Sequence, residues 1–213
     1  MDILVTFAVP EEAGPFRKRK IPNNRVLVTG MGATIAAEKF LAAIEERKPE
    51  FVLTCGFCGG LNPALESGEV IGDVSHADSL ANHLKQAGIR SGTCHFSDRV
   101  ATTSDEKRLL FEETGCDAVE MESGAIARIC VERNIPCATI RVISDTAVED
   151  LPLDFNKLMN EKGGIRFGRL AMELARRPRL IPKLTKLQKT SSKAAKKLAE
   201  SLDGLIRTFE GGG

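Results

Sequence analysis

Ile3-Leu4-Val5-Thr6-Phe7-Ala8-Val9, running directly into Pro10-Glu11-Glu12, decides the fold. An uncharged run of this length suits a strand buried on both faces, the kind found in parallel sheets. Proline and two carboxylates immediately afterwards suit the first turn of a helix, where a missing N–H costs nothing and negative charge meets the positive end of the dipole. The same strand-to-helix step recurs downstream. Residues 25–29 (RVLVT) predict a second strand, and Gly30-Met31-Gly32 opens a helix to about residue 47, with Ala36, Ala37, Phe40, Leu41 and Ile44 at helical spacing. Residues 51–54 (FVLT) predict a third strand ending in a glycine turn at 56–60, and residues 69–74 (EVIGDV) a fourth. A short helix is expected at 79–88, a strand around 93–97 and a helix at 104–113. Residues 117–120 lead into a helix at 121–133, and residues 136–142 (PCATIRV) read as an internal strand. The expected class is α/β, with a mixed, mostly parallel central sheet flanked by helices.

The end of the chain differs. A helix at about 155–176 is broken by Arg177-Pro178, and a basic helix follows from 183 to 209, with Leu184, Leu187, Ala194, Leu198, Leu202, Leu205 and Phe209 near three/four spacing. Residues 166–213 hold 12 Lys/Arg and 4 Asp/Glu, whereas the rest of the chain holds 18 and 25. The division expected is therefore a catalytic domain at 1–176 and a basic helical C-terminal extension at 177–213. Its helix packs on the body or on a sister subunit, or lies on a membrane surface through 183–209. No aromatic interleaves the lysines, so nucleic acid is not an expected partner. The glycines at 211–213 read as a frayed end.

Of the 213 residues 42% are hydrophobic and 28% charged, and all the aromatics are the 10 Phe, with no Trp or Tyr. That composition is globular, excludes Trp cages and Tyr stacking platforms, and contains no apolar run long enough for a membrane span. No secretion signal is read at the start, so the expected location is cytoplasmic, at most peripheral to the inner membrane surface, with Cys55, Cys58, Cys94, Cys116, Cys130 and Cys137 as reduced thiols. Cys55 and Cys58 with Cys94 and His95 lack the paired spacing of a zinc site, and a redox Cys-x-x-Cys should open a helix rather than end a strand. None of His76, His83 and His95 has the context of a nucleophile–base pair. No metal or organic cofactor is expected.

In open parallel sheets, ligands bind at the carboxyl ends of the strands. Glu12, Gly30-Met31-Gly32, Gly56–Gly60, Glu120-Met121-Glu122-Ser123 and Arg141-Val142-Ile143-Ser144-Asp145 all fall at such ends. Val119-Glu120-Met121-Glu122-Ser123-Gly124-Ala125-Ile126-Ala127, followed by Arg141-Val142-Ile143-Ser144-Asp145, resembles the purine nucleoside phosphorylase family, and within it most closely the methylthioadenosine/S-adenosylhomocysteine nucleosidases. Ala8-Val9-Pro10-Glu11-Glu12, Thr29-Gly30-Met31-Gly32, Cys55-Gly56-Phe57-Cys58-Gly59-Gly60-Leu61 and Ser67-Gly68-Glu69 match in the same order, over residues 1–165.

The resemblance implies cleavage of the N-ribosidic bond of a purine nucleoside, in a dimer or higher homo-oligomer. It makes Asp145 the acid that protonates purine N7, oriented by Ser144, and Glu12 the carboxylate that holds and deprotonates the attacking water. Glu122 takes the ribose 2′ and 3′ hydroxyls while Met121 packs on the sugar. Cys58, Gly59, Val100, Glu120 and Arg141 complete the expected substrate-binding set. The family's phosphorylases carry an Arg and a Ser where this chain has Thr54 and Phe57, so water is favoured over phosphate as co-substrate. Two departures stand out: the stretch between 74 and 97 is shortened, and the base-stacking aromatic falls on Val100. Both open the side where a 5′ substituent projects, so a hopanoid-associated phosphorylase acting on an adenosyl lipid is the alternative. A module that binds nucleosides or anionic surfaces without turnover comes after it.

Overall fold

A computed structural model of the chain describes residues 2–77, 80–160 and 163–210, so the glycines at 211–213 and the start of the helix expected at 79 lie outside the described residues. The elements in chain order are β1 (Ile3–Phe7), α1 (Pro10–Arg17), β2 (Asn24–Val28), α2 (Ala33–Glu46), β3 (Phe51–Gly60), β4 (Val70–Asp73), α3 (Ala81–Gln86), β5 (Arg90–Ser91), β6 (Cys94–Phe96), α4 (Ser104–Thr114), β7 (Ala118–Glu120), α5 (Ser123–Glu132), β8 (Cys137–Asp145), α6 (Phe155–Leu158), α7 (Phe167–Arg176) and α8 (Leu180–Glu210). The main sheet runs β2-β1-β3-β8-β4-β5, and β7, carrying β6, pairs with β3. β2, β1, β3 and β8 are parallel, while β4 against β8 and β7 against β3 are antiparallel. The mixed, mostly parallel α/β sheet is as expected.

Helices cover both faces. On one, Phe40 and Ile44 of α2 and Ile126, Ile129 and Cys130 of α5 pack on Leu4 and Val52. On the other, Phe16 of α1 joins Leu198, Leu202, Leu205 and Ile206 of α8 against Val5, Leu53 and Ile140. Packing therefore does not follow a boundary at residue 176. The half of α8 from Ala194 to Ile206 is core, and its buried leucines cannot meet a membrane while they cover the sheet. Asp203 on the same helix is tied to Arg19 at 2.7 Å. Exposed basic residues run along α7 and α8, Lys196 and Lys197 beside the buried leucines included, and Phe167 and Ile181 stand out to solvent. Among the described residues no helix is long and apolar enough to cross a membrane.

Two other expectations change. The helix read at 155–176 is two helices, α6 and α7, separated by a bridge between Met159 and Ile165. The glycine segment 56–60 is not a turn but the second half of β3, held by β8 on one side and β7 on the other. Glycines there let a strand pass under bulky neighbours. A Cβ on Gly56 would sit 2.6 Å from Arg141 Nη1 and 2.8 Å from Glu12 Oε1.

Candidate active site

The carboxyl ends of β1, β3, β7 and β8 converge on a cavity of about 290 Å³ bordered by Glu12, Met121, Glu122 and Asp145. Beneath it Arg141 is 1% exposed and surrounded by carboxylates. Arg141 bonds Glu120 through Nη2, approaches Glu122 Oε2 at 3.9 Å, and faces Glu12 across Gly56. Glu120 is fully engaged: it also accepts from the backbone N–H groups of Glu122 (3.0 Å) and Ser123 (2.8 Å) and from Ser123 Oγ (2.5 Å). Arg141 does not border the cavity. Arg141, expected to bind substrate, thus lies beneath the cavity rather than at its wall, and Glu120, although at the wall, has its oxygens committed to the protein. The pair supports the carboxylates instead, since buried negative charge needs a fixed countercharge.

Glu12 is at once part of a helix start and of the cavity. Its Oε2 accepts from Ala8 N (2.9 Å) and Val9 N (3.1 Å), as a glutamate in the first turn does, and its Oε1 accepts from Phe57 N on β3 (2.7 Å). Burial pushes its pKa up, against those N–H donors and Arg141. Glu122 reaches across to the Gly30–Gly32 loop, accepting from Gly32 N at 2.8 Å. Burial raises its pKa to about 7, with Arg141 opposing and Glu120 assisting.

The Glu122 shift has a stability consequence with a definite sign. A carboxyl whose folded pKa lies near 7, above its ordinary 4.5, holds its proton in the folded chain where the unfolded chain has lost it. Stability therefore falls as pH rises through this window, by about 3 kcal/mol at 1.36 kcal/mol per unit. Asp150, Asp154 and Asp203 are shifted downward and act only below the window. Thermal unfolding of the unliganded protein should show a Tm lower at pH 7.5 than at pH 5 by on the order of 5–10 °C. Glu122→Gln should flatten that slope, leaving the part that Glu12 contributes; an equal slope in both proteins contradicts the assignment.

β8 ends in an irregularity. Cys58 pairs with Ile143 and Gly59 with Asp145, so Ser144 is an extra residue in the ladder. Such a bulge re-aims the side chains around it. Ser144 Oγ lies 2.6 Å from Asp145 Oδ1 and 3.1 Å from the Cys58 carbonyl. On the far side, the buried Lys107 ammonium lies 2.5 Å from Asp145 Oδ2, without the angle of a hydrogen bond.

Met121, Glu122, Ser144, Cys58, Gly59, Val100, Glu12 and Asp145 all border the cavity. Val100 is held by its backbone, donating to Asn156 Oδ1 at 2.8 Å and accepting from Asn156 Nδ2 at 3.0 Å. Phe57 and Phe155 supply the aromatic surface that Val100 lacks, and Leu187 and Ser191 of α8 close the rim. Sequence reading missed Phe155, Asn156, Leu187 and Lys107. Lys107 sits three and four residues before Leu110 and Phe111, which pack against the core, and that spacing was the available signal. Cys58 packs with Cys94 in an apolar cluster, and burial pushes both thiols up. Among the described residues no group of three His, Cys, Asp or Glu could hold a metal ion.

Residues 73–176, which contain β7, Met121, Glu122 and all of β8, match the model of the Phosphorylase superfamily. Over those residues the chain is similar to that superfamily. It is 28% identical over 168 residues to a 5′-methylthioadenosine/S-adenosylhomocysteine nucleosidase of Geobacillus kaustophilus, covering 63% of this chain and 72% of that one. It is 39% identical over 77 residues to a protein of the same name from Mycobacterium bovis, covering 36% and 30%. The fold is also that of the Neisseria meningitidis nucleosidase crystallised with methylthio-immucillin-A, with a TM-score of 0.72, 18% identity, and 97% of this chain and 99% of that chain covered. A futalosine hydrolase of Helicobacter pylori aligns with a TM-score of 0.71 at 18% identity, over 98% of each chain. Both solved structures align with the present chain over 97% or more of its length, which agrees with α8 being part of the fold.

Proposed function

We propose that the chain hydrolyses the N-ribosidic bond of an adenine-type purine nucleoside, in the manner of the 5′-methylthioadenosine/S-adenosylhomocysteine nucleosidases it resembles. The observation that carries this reading is the convergence of Glu12, Glu122 and Asp145 on one cavity, each from a different strand end. Breaking the bond between C1′ and N9 leaves positive charge on the ribose and negative charge on the base. Asp145 gives a proton to N7 of the departing purine. Glu122 accepts the 2′ and 3′ hydroxyls, and its negative charge steadies the sugar cation. Water, held by Glu12, adds to C1′ and loses a proton to that carboxylate. A carboxylate whose pKa burial has raised is a better base near neutrality than an exposed one.

Water rather than phosphate is favoured by what surrounds Glu12. Thr54 is fully buried with its hydroxyl 2.8 Å from Thr139 Oγ1, and the Phe57 N–H is taken by Glu12 itself. A phosphate dianion here would meet a carboxylate, and Arg99, at the cavity wall, is paired with Glu106. The rim formed by Leu151, Phe155 and Leu187 is apolar, which suits a 5′ substituent such as methylthio. Purified protein incubated with adenosine, methylthioadenosine, S-adenosylhomocysteine and inosine, with and without phosphate, tests the reading by mass spectrometry of the products. Free adenine and free sugar, at a rate indifferent to phosphate, are expected. A sugar 1-phosphate would establish phosphorolysis instead, and no cleavage of any nucleoside would leave a binding module.

A further inference from the structure

The chemistry above uses three carboxylates and leaves a buried cation unused. Lys107 is 0% exposed, in the amino-terminal half of α4, where the helix dipole disfavours positive charge. Burying an ammonium costs several kcal/mol unless its surroundings compensate. Two of its protons go to the carbonyl oxygens of Thr146 (2.8 Å) and Glu149 (2.7 Å), which tether the turn that follows β8. A neutral donor would serve that tether without the cost of a charge. The charge itself faces Asp145, with Nζ 2.5 Å from Oδ2. No hydrogen-bond donor is aimed along the Oδ2 lone pairs. The other groups facing Asp145 are the Ser144 hydroxyl and the Cys58 thiol, neither of which carries positive charge.

We propose that Lys107 is a positioning residue for proton delivery, its ammonium stabilising the carboxylate that Asp145 becomes as its proton passes to the leaving base. The proposal rests on the N-ribosidic reading of the site. In the step, the Asp145 proton moves to purine N7 and the electron pair of the C1′–N9 bond goes to the purine. The water oxygen bonds to C1′ and its proton goes to Glu12, while Lys107 keeps all three of its own. Negative charge thus appears on Asp145 beside a cation already in place, so no reorganisation is needed as the transition state forms. Gly59 fits the same contact, since a Cβ there would stand 3.4 Å from Asp145 Oδ2 and 3.7 Å from Lys107 Cε.

The test uses the full chain with Lys107→Met and Lys107→Gln, the second retaining a donor for the two carbonyls. Each is assayed on methylthioadenosine and on p-nitrophenyl β-D-ribofuranoside, whose phenolate departs without a proton. On the nucleoside, kcat should fall about 30–100-fold with KM within about threefold, whereas on the phenyl riboside it should fall less than about threefold. In an Asp145→Asn background Lys107→Met should cost nothing further, a result that decides the matter even if the phenyl riboside is not turned over. Equal losses on both substrates, additive losses in the double variant, unchanged kinetics, or failure of both single variants to fold would each make Lys107 a residue of structure only. A wild-type protein inactive on every nucleoside overturns the functional reading and this assignment with it. An active wild type with unaffected variants overturns the assignment alone.

Discussion

Replacing Asp145 by Asn should lower kcat on adenine nucleosides about 10³-fold and leave KM within about threefold, since general-acid groups contribute roughly 10²–10⁴-fold. The substitution is nearly isosteric and the site can accept it. The amide oxygen can face the Lys107 ammonium, 2.5 Å from Oδ2 in the parent, while the amide nitrogen donates to Ser144 Oγ, 2.6 Å from Oδ1. What is lost is the transferable proton. The purine would then leave as an anion in a cavity that Glu12 and Glu122 also border, and whose Arg99 is paired with Glu106. Ground-state binding of the sugar runs through Glu122 and Met121 and is untouched, which is why the loss belongs in kcat. Steady-state kinetics with circular dichroism as a folding control would check it, and an unchanged rate would mean that the base departs without protonation at this position.

Glu12→Gln should also cost about 10²–10⁴-fold in kcat, and unlike Asp145→Asn it should cost stability as well. Both Glu12 oxygens are acceptors: Oε2 for Ala8 and Val9, Oε1 for Phe57. An amide presents one oxygen and one NH₂, so in either orientation a donor is turned towards a backbone N–H. A buried donor left without an acceptor costs about 1–3 kcal/mol. That lowers Tm by several degrees in a chain of this size. The paired readout separates two roles that one residue fills. A Tm loss with normal turnover would leave Glu12 as a helix cap and nothing more. Lost turnover with normal Tm would show that the amide finds other partners and that the base is what was removed.

The two variants also mark how far a linear reading reaches. Strands apolar on both faces, each followed by glycine or an acidic helix start, are local patterns, and they carried the α/β class and the positions of Glu12, Glu122 and Asp145. Local pattern failed where a partner strand overrode it. Gly56–Gly60 reads as a turn by composition, yet β8 and β7 extend it as strand. The leucines of α8 read equally well as a packed or a membrane-facing stripe, because periodicity gives a face but not what covers it. Their burial on β1, β3 and β8 decided the matter for 194–206.

Charge partners were the least legible of all. Arg141 on β8, one helix on from Glu120 at the end of β7, reads along the chain as a ligand contact, whereas in the fold it is buried beside Glu120. Lys107 drew no notice in a polar helix, and no spacing links it to Asp145 on another element 38 positions later. The sequence by itself determined most of the strands, the order of their chemistry-bearing ends, and hence which carboxylates border the cavity, since those follow from residue type and short-range period. Only the tertiary structure decided which charges meet in the dry interior, because a countercharge acts through space over a few ångströms and leaves no period along the chain.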